Sequence, residues 1–194
     1  MLVEMLYLPA LSVGSPAGAK MVHYLYGVLL VLAVVVLVRK HFPSPLQRAQ
    51  GAPVLAALAV AGMPIVMWEA TTAYIDLATA LYTVVAVYLL LDYLDKPELK
   101  TLIWCGVAAG FTASTKMTGL TLAPMLAVWL VVDRMVGRRK AGAEGGQYGM
   151  VIWHALALVG VALLVCSPWY IKTLIYTGNP VYPFFYSIFG GKDW

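Results

Sequence analysis

The chain has little charge. Only 11% of its 194 residues are Asp, Glu, Lys or Arg, whereas 62% are hydrophobic. Soluble domains carry about 25% charged residues, so this composition excludes a soluble globular domain. The apolar residues form continuous runs of about 15–20 residues rather than alternating segments of about ten, which indicates membrane helices and not a β-barrel. We therefore predict an all-α fold, a polytopic transmembrane helical bundle.

Cysteine and histidine are scarce as well. Cys105 and Cys166 each lie within an apolar run, which predicts small buried hydrophobic residues. Neither they nor the three histidines have the spacing of metal ligands, so we expect no metal site. The basic residues lie in short loops, so the net charge of +4 indicates membrane topology rather than nucleic-acid binding. No basic n-region with a small-residue cleavage site begins the chain, so we expect no signal peptide.

The apolar runs predict about six spans in a single transmembrane domain, residues 1–194. The predicted spans are 17–38, 52–68 with a kink near Pro64, 75–91, 101–113, 117–132 and 150–167. Residues 1–13 are apolar but few, which predicts a short N-terminal interfacial segment. Residues 168–194 combine aromatics with prolines and glycines, which predicts a non-helical aromatic C-terminal loop.

Loop charge predicts the topology. Loop 39–51 contains Arg39, Lys40 and Arg48, and loop 133–149 contains Arg134, Arg138, Arg139 and Lys140. Basic loops favour the cytoplasmic side. Alternating the spans then places loop 92–100 on the cytoplasmic side as well, and residues 69–76, 114–116 and 168–194 on the non-cytoplasmic side.

Ionisable residues at the mouths of the spans fall on this non-cytoplasmic face. They are Lys20, His23, Glu69, Asp76 and Lys116. Such groups are costly at membrane depth and usually face a cavity or a partner. We therefore predict a polar pocket on this face, with the aromatic tail as its roof.

Each of these residues has more than one interpretation. Lys116 is either a snorkelling interfacial lysine or a phosphate clamp beside Ser114 and Thr115. Asp76 either complements a helix dipole, positions a sugar hydroxyl or pairs with Lys116. Glu69 and Asp76 are the candidates for catalysis, as a general acid/base pair.

Isolated histidines are more often structural than ligands, and His23 is the better functional candidate of His23 and His154 because of its side of the membrane. The small residues Gly106 and Gly110 form a GxxxG motif, which favours close packing within the bundle and leaves a dimer interface as the second interpretation.

Aromatic residues of the tail have two interpretations. Trp169, Tyr170 and Tyr182 fit an interfacial aromatic belt. They also fit a pocket rim that contacts sugar rings and prenyl chains. The turn at Asn179 and Pro180 favours a fixed loop rather than a belt alone.

Several ordered blocks resemble a known superfamily. They are residues 73–78 (AYIDLA), 110–120 (GFTASTKMTGL), 167–172 (SPWYIK), 177–183 (TGNPVYP) and 189–191 (FGG). Together they resemble the GT-C superfamily of integral-membrane glycosyltransferases, in the branch of bacterial protein O-mannosyltransferases and aminoarabinose transferases. The resemblance covers roughly residues 4–194.

This resemblance implies transfer of a sugar from a polyprenyl-phosphate donor on the non-cytoplasmic face of a bacterial inner membrane. It implies that Lys116 contacts the donor phosphate, and that Asp76 and the turn from Asn179 to Pro183 shape the pocket. Trp169, Tyr170 and Tyr182 are then substrate-binding residues. The lipid-linked donor is a substrate rather than a cofactor, and the expected partners are membrane lipids and other membrane subunits, not nucleic acid.

One part of the family pattern has no counterpart in the sequence. The family carries its catalytic acid in a first extracytoplasmic loop, and no block of this chain matches it. The chain therefore resembles a middle portion of such an enzyme. The first hypothesis is a portion of a longer, active glycosyltransferase; the alternative is a catalytically inactive, truncated subunit with a structural role in a larger membrane complex. A transporter fragment is a third hypothesis, but the sequence shows no inverted repeats.

Overall fold

The computed structural model describes residues 2–42, 51–141 and 148–192, and these residues form helices without any strand. The elements are α1 (Leu2–Met5), α2 (Leu8–Ser12), α3 (Pro16–His41), α4 (Gly51–Ala61), α5 (Pro64–Glu69), α6 (Asp76–Asp95), α7 (Leu99–Thr115), a 3₁₀ helix (Met117–Thr121), α8 (Leu122–Ala141), α9 (Tyr148–Thr177) and α10 (Tyr186–Phe189). The predicted all-α class is confirmed.

Four helical segments are long and apolar enough to cross a membrane: Pro16–His41, Asp76–Asp95, Met117–Gly137 and Gly149–Thr177. The expected number of six is not confirmed. Helix α7 has 17 residues, which is near 25 Å at 1.5 Å per residue and short of a hydrocarbon core of about 30 Å. These spans support an integral membrane protein.

The predicted span 52–68 is divided into α4 and α5. Met63 has extended backbone angles (φ −66°, ψ 124°), and Pro64 begins α5. The residue before a proline is pushed out of the helical region, whereas a proline fits the first helical position. The kink expected near Pro64 is therefore a complete break, and each piece is too short to span alone.

Helices α6, α7, α8 and α9 surround the main core. Its large buried side chains are Leu90, Leu102, Leu130 and Leu158, and small residues such as Ala86 lie between them. Cys105 and Cys166 are both buried, as predicted. Helix α3 packs on the outer side of α6, and α4 packs on α3.

Glycines let α7 and α9 approach closely. A Cβ atom on Gly106 would lie 2.8 Å from the Leu158 carbonyl oxygen, and one on Gly110 would lie 2.6 Å from the Val165 Cβ. Real side chains do not tolerate such distances, so only glycine permits this approach. The prediction that the GxxxG motif packs within the bundle is confirmed.

Helix α9 does not stop at the predicted end of the last span. It continues through Pro168 to Thr177, so the prediction of a non-helical chain from residue 168 is wrong for residues 168–177. Proline has no N–H for the carbonyl four residues earlier; here that carbonyl, of Leu164, accepts a hydrogen bond of 2.8 Å from the Ser167 hydroxyl instead. The helix ends before Gly178, which has a positive φ of 78°. The loop that remains includes one short helix, α10.

Charged side chains collect at the two ends of the bundle. At one end, Asp92 lies 2.7 Å from Lys40 and 2.8 Å from His41. Arg134 donates to the Leu94 carbonyl at 2.9 Å beside them. This is the end predicted to be cytoplasmic. Residues 43–50 and 142–147 lie outside the described residues, and so do Arg48, one of the basic residues on which the topology prediction depends, and Trp194. Orientation in the membrane stays a prediction.

Candidate functional site

At the opposite end of the bundle, Asp76 and Lys116 form an ion pair. The Lys116 ammonium donates to Asp76 Oδ1. Asp76 begins α6, where the helix dipole favours a negative charge, and Lys116 immediately follows α7. The two side chains are 39% and 43% exposed, so the pair is accessible at the mouth of the bundle.

The chain turn after α7 fixes the position of Lys116. The backbone N–H of Lys116 donates to the Thr112 carbonyl at 3.0 Å, and the 3₁₀ helix then folds back on α7. A Cβ atom on Gly119 would lie 2.5 Å from the same carbonyl oxygen, so this return requires glycine. The hydroxyls of Ser114 and Thr115 each donate to α7 carbonyls at 2.8 Å. They hold the end of α7 rather than face the ammonium.

A second group of polar side chains lies close to the ion pair. The Tyr7 hydroxyl lies 3.2 Å from His23 Nδ1 and donates to the Tyr74 carbonyl oxygen. His23 Nε2 lies 3.6 Å from Glu69 Oε2. His23 is fully buried and Glu69 is 8% exposed. The turn after α1, the end of α5 and, through Tyr7, the turn before α6 therefore meet around one imidazole of α3.

The electrostatic surroundings of Glu69 favour its protonated form. Burial raises the pKa of the Glu69 carboxyl, and the nearby Asp76 carboxylate adds to this effect. The Lys116 ammonium acts in the opposite direction. Removal of a carboxylate from water disfavours its charged form. Burial is the largest of these effects, so the pKa of the Glu69 carboxyl lies above its ordinary value.

The predicted tail residues serve different parts of this end. Trp169 and Tyr182 line a cleft of about 620 Å³, together with Lys172 and with Glu4 and Met5 of α1. The Lys172 ammonium lies 5.8 Å from the centre of the Trp169 ring. The cleft therefore combines aromatic faces with charges of both signs, from Lys172 and Glu4, and its aromatic faces suit a ligand with C–H surface.

Tyr170 and Asn179 act inside the protein. The Tyr170 hydroxyl donates to the Ala113 carbonyl at 3.0 Å and so fastens α9 to the end of α7. Asn179 is fully buried; its amide donates to the carbonyls of Phe184 and Gly190, and its oxygen accepts from the Val181 N–H. These contacts fix the loop, and a direct substrate contact by either residue stays a prediction.

Lys20 and His154, the remaining candidates named from the sequence, lie outside the group around Asp76, Lys116, His23 and Glu69. Lys20 is exposed on α3. His154 lies at the opposite end, with Nδ1 2.5 Å from the Tyr93 hydroxyl, as expected of a structural histidine. Among the described residues, no group of three His, Cys, Asp or Glu side chains is placed to hold a metal ion.

Sequence reasoning missed two contributors to this end. Tyr7 stands in a short apolar stretch, and nothing in the spacing of that stretch predicts that it reaches His23. The segment predicted to be interfacial packs against the bundle, since Val3 is fully buried and Tyr7 is 6% exposed. Lys172 belongs to the block at residues 167–172. It lies one turn after Pro168 and lines the cleft because α9 continues past the proline, which the sequence did not predict.

Comparison with protein families gives a match. A family model described as Dolichyl-phosphate-mannose-protein mannosyltransferase matches residues 10–171. The matched range contains His23, Glu69, Asp76 and Lys116 and ends within the last turns of α9. Comparisons with curated proteins and with solved structures give no match.

Proposed function

The chain belongs to the dolichyl-phosphate-mannose-protein mannosyltransferase family, and from this we propose that it transfers a sugar from a polyprenyl-phosphate donor on the non-cytoplasmic face of the membrane. Membership itself implies membrane glycosyltransferase-like activity. The single observation that carries the finer proposal is the ion pair of Asp76 and Lys116 at the mouth of the bundle.

Lys116 is suited to the phosphate of the donor. A sugar linked to polyprenyl phosphate is a phosphodiester with one negative charge, whereas the released polyprenyl phosphate is a monoester that carries about −1.5 to −2. An ammonium close to the leaving oxygen therefore gains attraction as the bond to the sugar breaks. Interactions that strengthen in the transition state are those that accelerate a reaction.

Asp76 positions this ammonium. The carboxylate is fixed at the start of α6, and it holds a flexible lysine side chain at the point where α6 and α7 meet. Because both side chains are partly exposed, an arriving phosphate can reach the ammonium without burying a new charge. The cleft beside Trp169 and Tyr182 is the place that we propose for the sugar or its acceptor.

The face of transfer follows from charge. The ion pair lies at the end opposite to Lys40, His41 and Arg134, and basic residues favour the cytoplasmic side. We therefore propose a non-cytoplasmic site, and the resemblance of the sequence blocks supports the inner membrane of a bacterial cell.

The test is a neutral lysine isostere in the complete protein, reconstituted in lipid vesicles. The assay measures transfer of mannose from dolichyl-phosphate mannose to a peptide that contains Ser and Thr. We expect Lys116→Met to lower kcat/KM by about 100-fold or more, the usual effect of removing one donor to a developing oxyanion. Lys96→Met is the matched control, because Lys96 forms an exposed pair with Glu98 at the other end.

Retention of transfer within about threefold in Lys116→Met contradicts the phosphate role. Absence of transfer by the wild-type protein, with the fold intact and with a range of polyprenyl-phosphate sugars offered as donors, instead favours the alternative of an inactive subunit in a larger membrane complex.

A further inference from the structure

Four large apolar side chains are exposed on the loop that follows α9. They are those of Phe184, Phe185, Ile188 and Phe189, which are between 50% and 71% exposed. Among the described residues that line the cleft beside Trp169, none is one of these four. A cluster of exposed apolar side chains on a folded surface marks a contact with a protein, a ligand or a membrane. The loop therefore presents a surface for interaction with another apolar body.

This loop has a fixed conformation although its apolar side chains are uncovered. The buried Asn179 amide donates to the carbonyls of Phe184 and Gly190, at the two ends of the apolar segment. The N–H of Lys192 donates to the Thr177 carbonyl at 3.0 Å and so fastens the loop to the last residue of α9. The exposure of the four side chains thus comes from the folded shape of the loop.

Phe185 has backbone angles that disfavour a large side chain. Its φ of 52° and ψ of 33° lie in the left-handed helical region, where a Cβ atom crowds the following carbonyl oxygen and glycine is the usual residue. The Phe185 carbonyl accepts from the N–H groups of Ile188 and Phe189, each at 3.0 Å, so the three residues form one short turn. A phenylalanine here costs stability, and a contact of its exposed ring with another apolar body offsets that cost.

Helix α9 gives the depth of this loop in the membrane. Exposed apolar side chains run along one side of α9 and include Trp153, Leu156, Leu164 and Ile175. The distance from Trp153 to Ile175 is about 33 Å at 1.5 Å per residue, which matches a hydrocarbon core of about 30 Å. The lipid-facing side of α9 therefore ends near Ile175, and the loop begins about 4.5 Å further on, at Gly178.

We propose that Phe184, Phe185, Ile188 and Phe189 insert into the lipid leaflet at the ion-pair end of the bundle and anchor the loop to the membrane. The bilayer is the occupant because the loop continues the lipid-facing side of α9. It also lies within the interfacial layer, which extends about 5–7 Å beyond the hydrocarbon core on each side. Aromatic residues favour this layer. The inference goes beyond sugar transfer and does not depend on it.

The anchor has a consequence for the cleft beside Trp169. Tyr182 lines this cleft and lies two residues before Phe184. Its ring contacts the edge of the Tyr186 ring, with 6.4 Å between the ring centres, so the wall of the cleft is joined to the apolar turn. Insertion of the turn therefore fixes one wall of the cleft at the height of the lipid headgroups.

The first test measures the depth of residue 188 in the complete protein, reconstituted in lipid nanodiscs. Ile188→Cys carries a nitroxide label, and the native Cys105 and Cys166 are buried and so do not compete for it. Electron paramagnetic resonance then gives the collision rates of the label with oxygen, which concentrates in lipid, and with a water-soluble nickel(II) chelate. Leu164→Cys on the lipid-facing side of α9 is the lipid reference. Lys96→Cys, in an exposed ion pair at the other end, is the water reference.

We expect the ratio of oxygen to nickel collisions at residue 188 to lie closer to the Leu164 reference than to the Lys96 reference. A ratio equal to that at Lys96 overturns the proposal, because the turn then faces water. A label that neither reagent reaches also overturns it, because protein rather than lipid then covers the turn.

The second test removes the apolar side chains and keeps the loop. Phe185→Gly combined with Phe189→Ser deletes two rings, and glycine adopts a φ of 52° without strain. Loss of two buried rings lowers the equilibrium constant for insertion by about 100-fold or more, so we expect the collision ratio at residue 188 to fall to the water reference. Lys192→Gln, an exposed substitution in the same loop, is the matched control and leaves the ratio unchanged.

Protease resistance of residues 178–192 in detergent checks that the loop stays folded in the double variant. A wild-type collision ratio in this variant overturns the lipid anchor. If the double variant loses its protease resistance, the single variant Phe185→Gly takes its place, with a fall in the ratio of about tenfold expected for one ring and an unchanged ratio as the contradicting result.

Discussion

Gly110 offers a sharp test of how closely α7 and α9 approach. A Cβ atom at this position would lie 2.6 Å from the Val165 Cβ and 2.8 Å from the Ala162 carbonyl oxygen. Carbon atoms in contact prefer about 3.5–4.0 Å, so Gly110→Ala forces the helices apart by roughly 1 Å. Overpacking of this kind costs about 1–3 kcal/mol.

Helix α9 supplies its own control. A Cβ atom on Gly160 meets nothing within 4 Å. Gly160→Ala therefore adds a methyl group without a clash, and we expect it to be neutral or to stabilise the protein by up to about 1 kcal/mol, the advantage of Ala over Gly within a helix. Thermal unfolding of both variants in the same detergent micelles measures the difference.

The effect of Gly110→Ala reaches the candidate site. The Tyr170 hydroxyl spans the same interface to the Ala113 carbonyl at 3.0 Å, and a displacement of about 1 Å breaks a hydrogen bond. We expect sugar transfer to fall together with stability. Equal stability of Gly110→Ala and Gly160→Ala refutes this reasoning, and loss of a dimer without loss of monomer stability instead supports the dimer-interface interpretation of the GxxxG motif.

Two further variants test the passage of α9 through Pro168 and the loop that follows the helix. Ser167→Ala leaves the Leu164 carbonyl without the hydroxyl that replaces the missing N–H of Pro168. We therefore expect the free energy of unfolding, measured by thermal unfolding, to fall by about 0.5–1.5 kcal/mol. We expect almost no loss in a Ser167→Ala, Pro168→Ala double variant, because residue 168 then has a backbone N–H. Asn179→Ala removes the buried side chain that bonds two loop carbonyls; we expect protease cleavage within residues 178–192 to accelerate at least tenfold, and unchanged cleavage contradicts the loop-fixing role.

Hydrophobicity and loop charge predicted the helical class and which residues share an end of the bundle. Long apolar runs require helices in a membrane because every backbone group must be bonded internally. The polar interruptions at Glu69, Asp76 and Lys116 then necessarily fall at helix ends, and alternation brings them to one end. The pairing of Asp76 with Lys116 was among the alternatives open from the sequence.

Local rules failed where a side chain or a distant segment replaced a backbone contact. Proline at 168 predicts a helix end, but the Ser167 hydroxyl takes the place of the missing donor. Tyr7 lies 67 residues from Tyr74, and such a contact has no sequence period that predicts it. The direction of the hydrogen bonds around His23 likewise depends on three segments that meet only in the folded bundle.

The contact between Tyr7 and Tyr74 also sets a time order for assembly. Tyr7 is synthesised first, but its partners His23 and Tyr74 follow 16 and 67 residues later. Chains grow at about 5–20 residues per second, so roughly 3 to 13 seconds separate Tyr7 from Tyr74. During that interval α3 has been made, while the hydroxyl still lacks its acceptor. The polar group around His23 therefore closes only after the turn before α6 emerges, and the Tyr7 hydrogen bond can form before Lys116, the partner of Asp76, has been made.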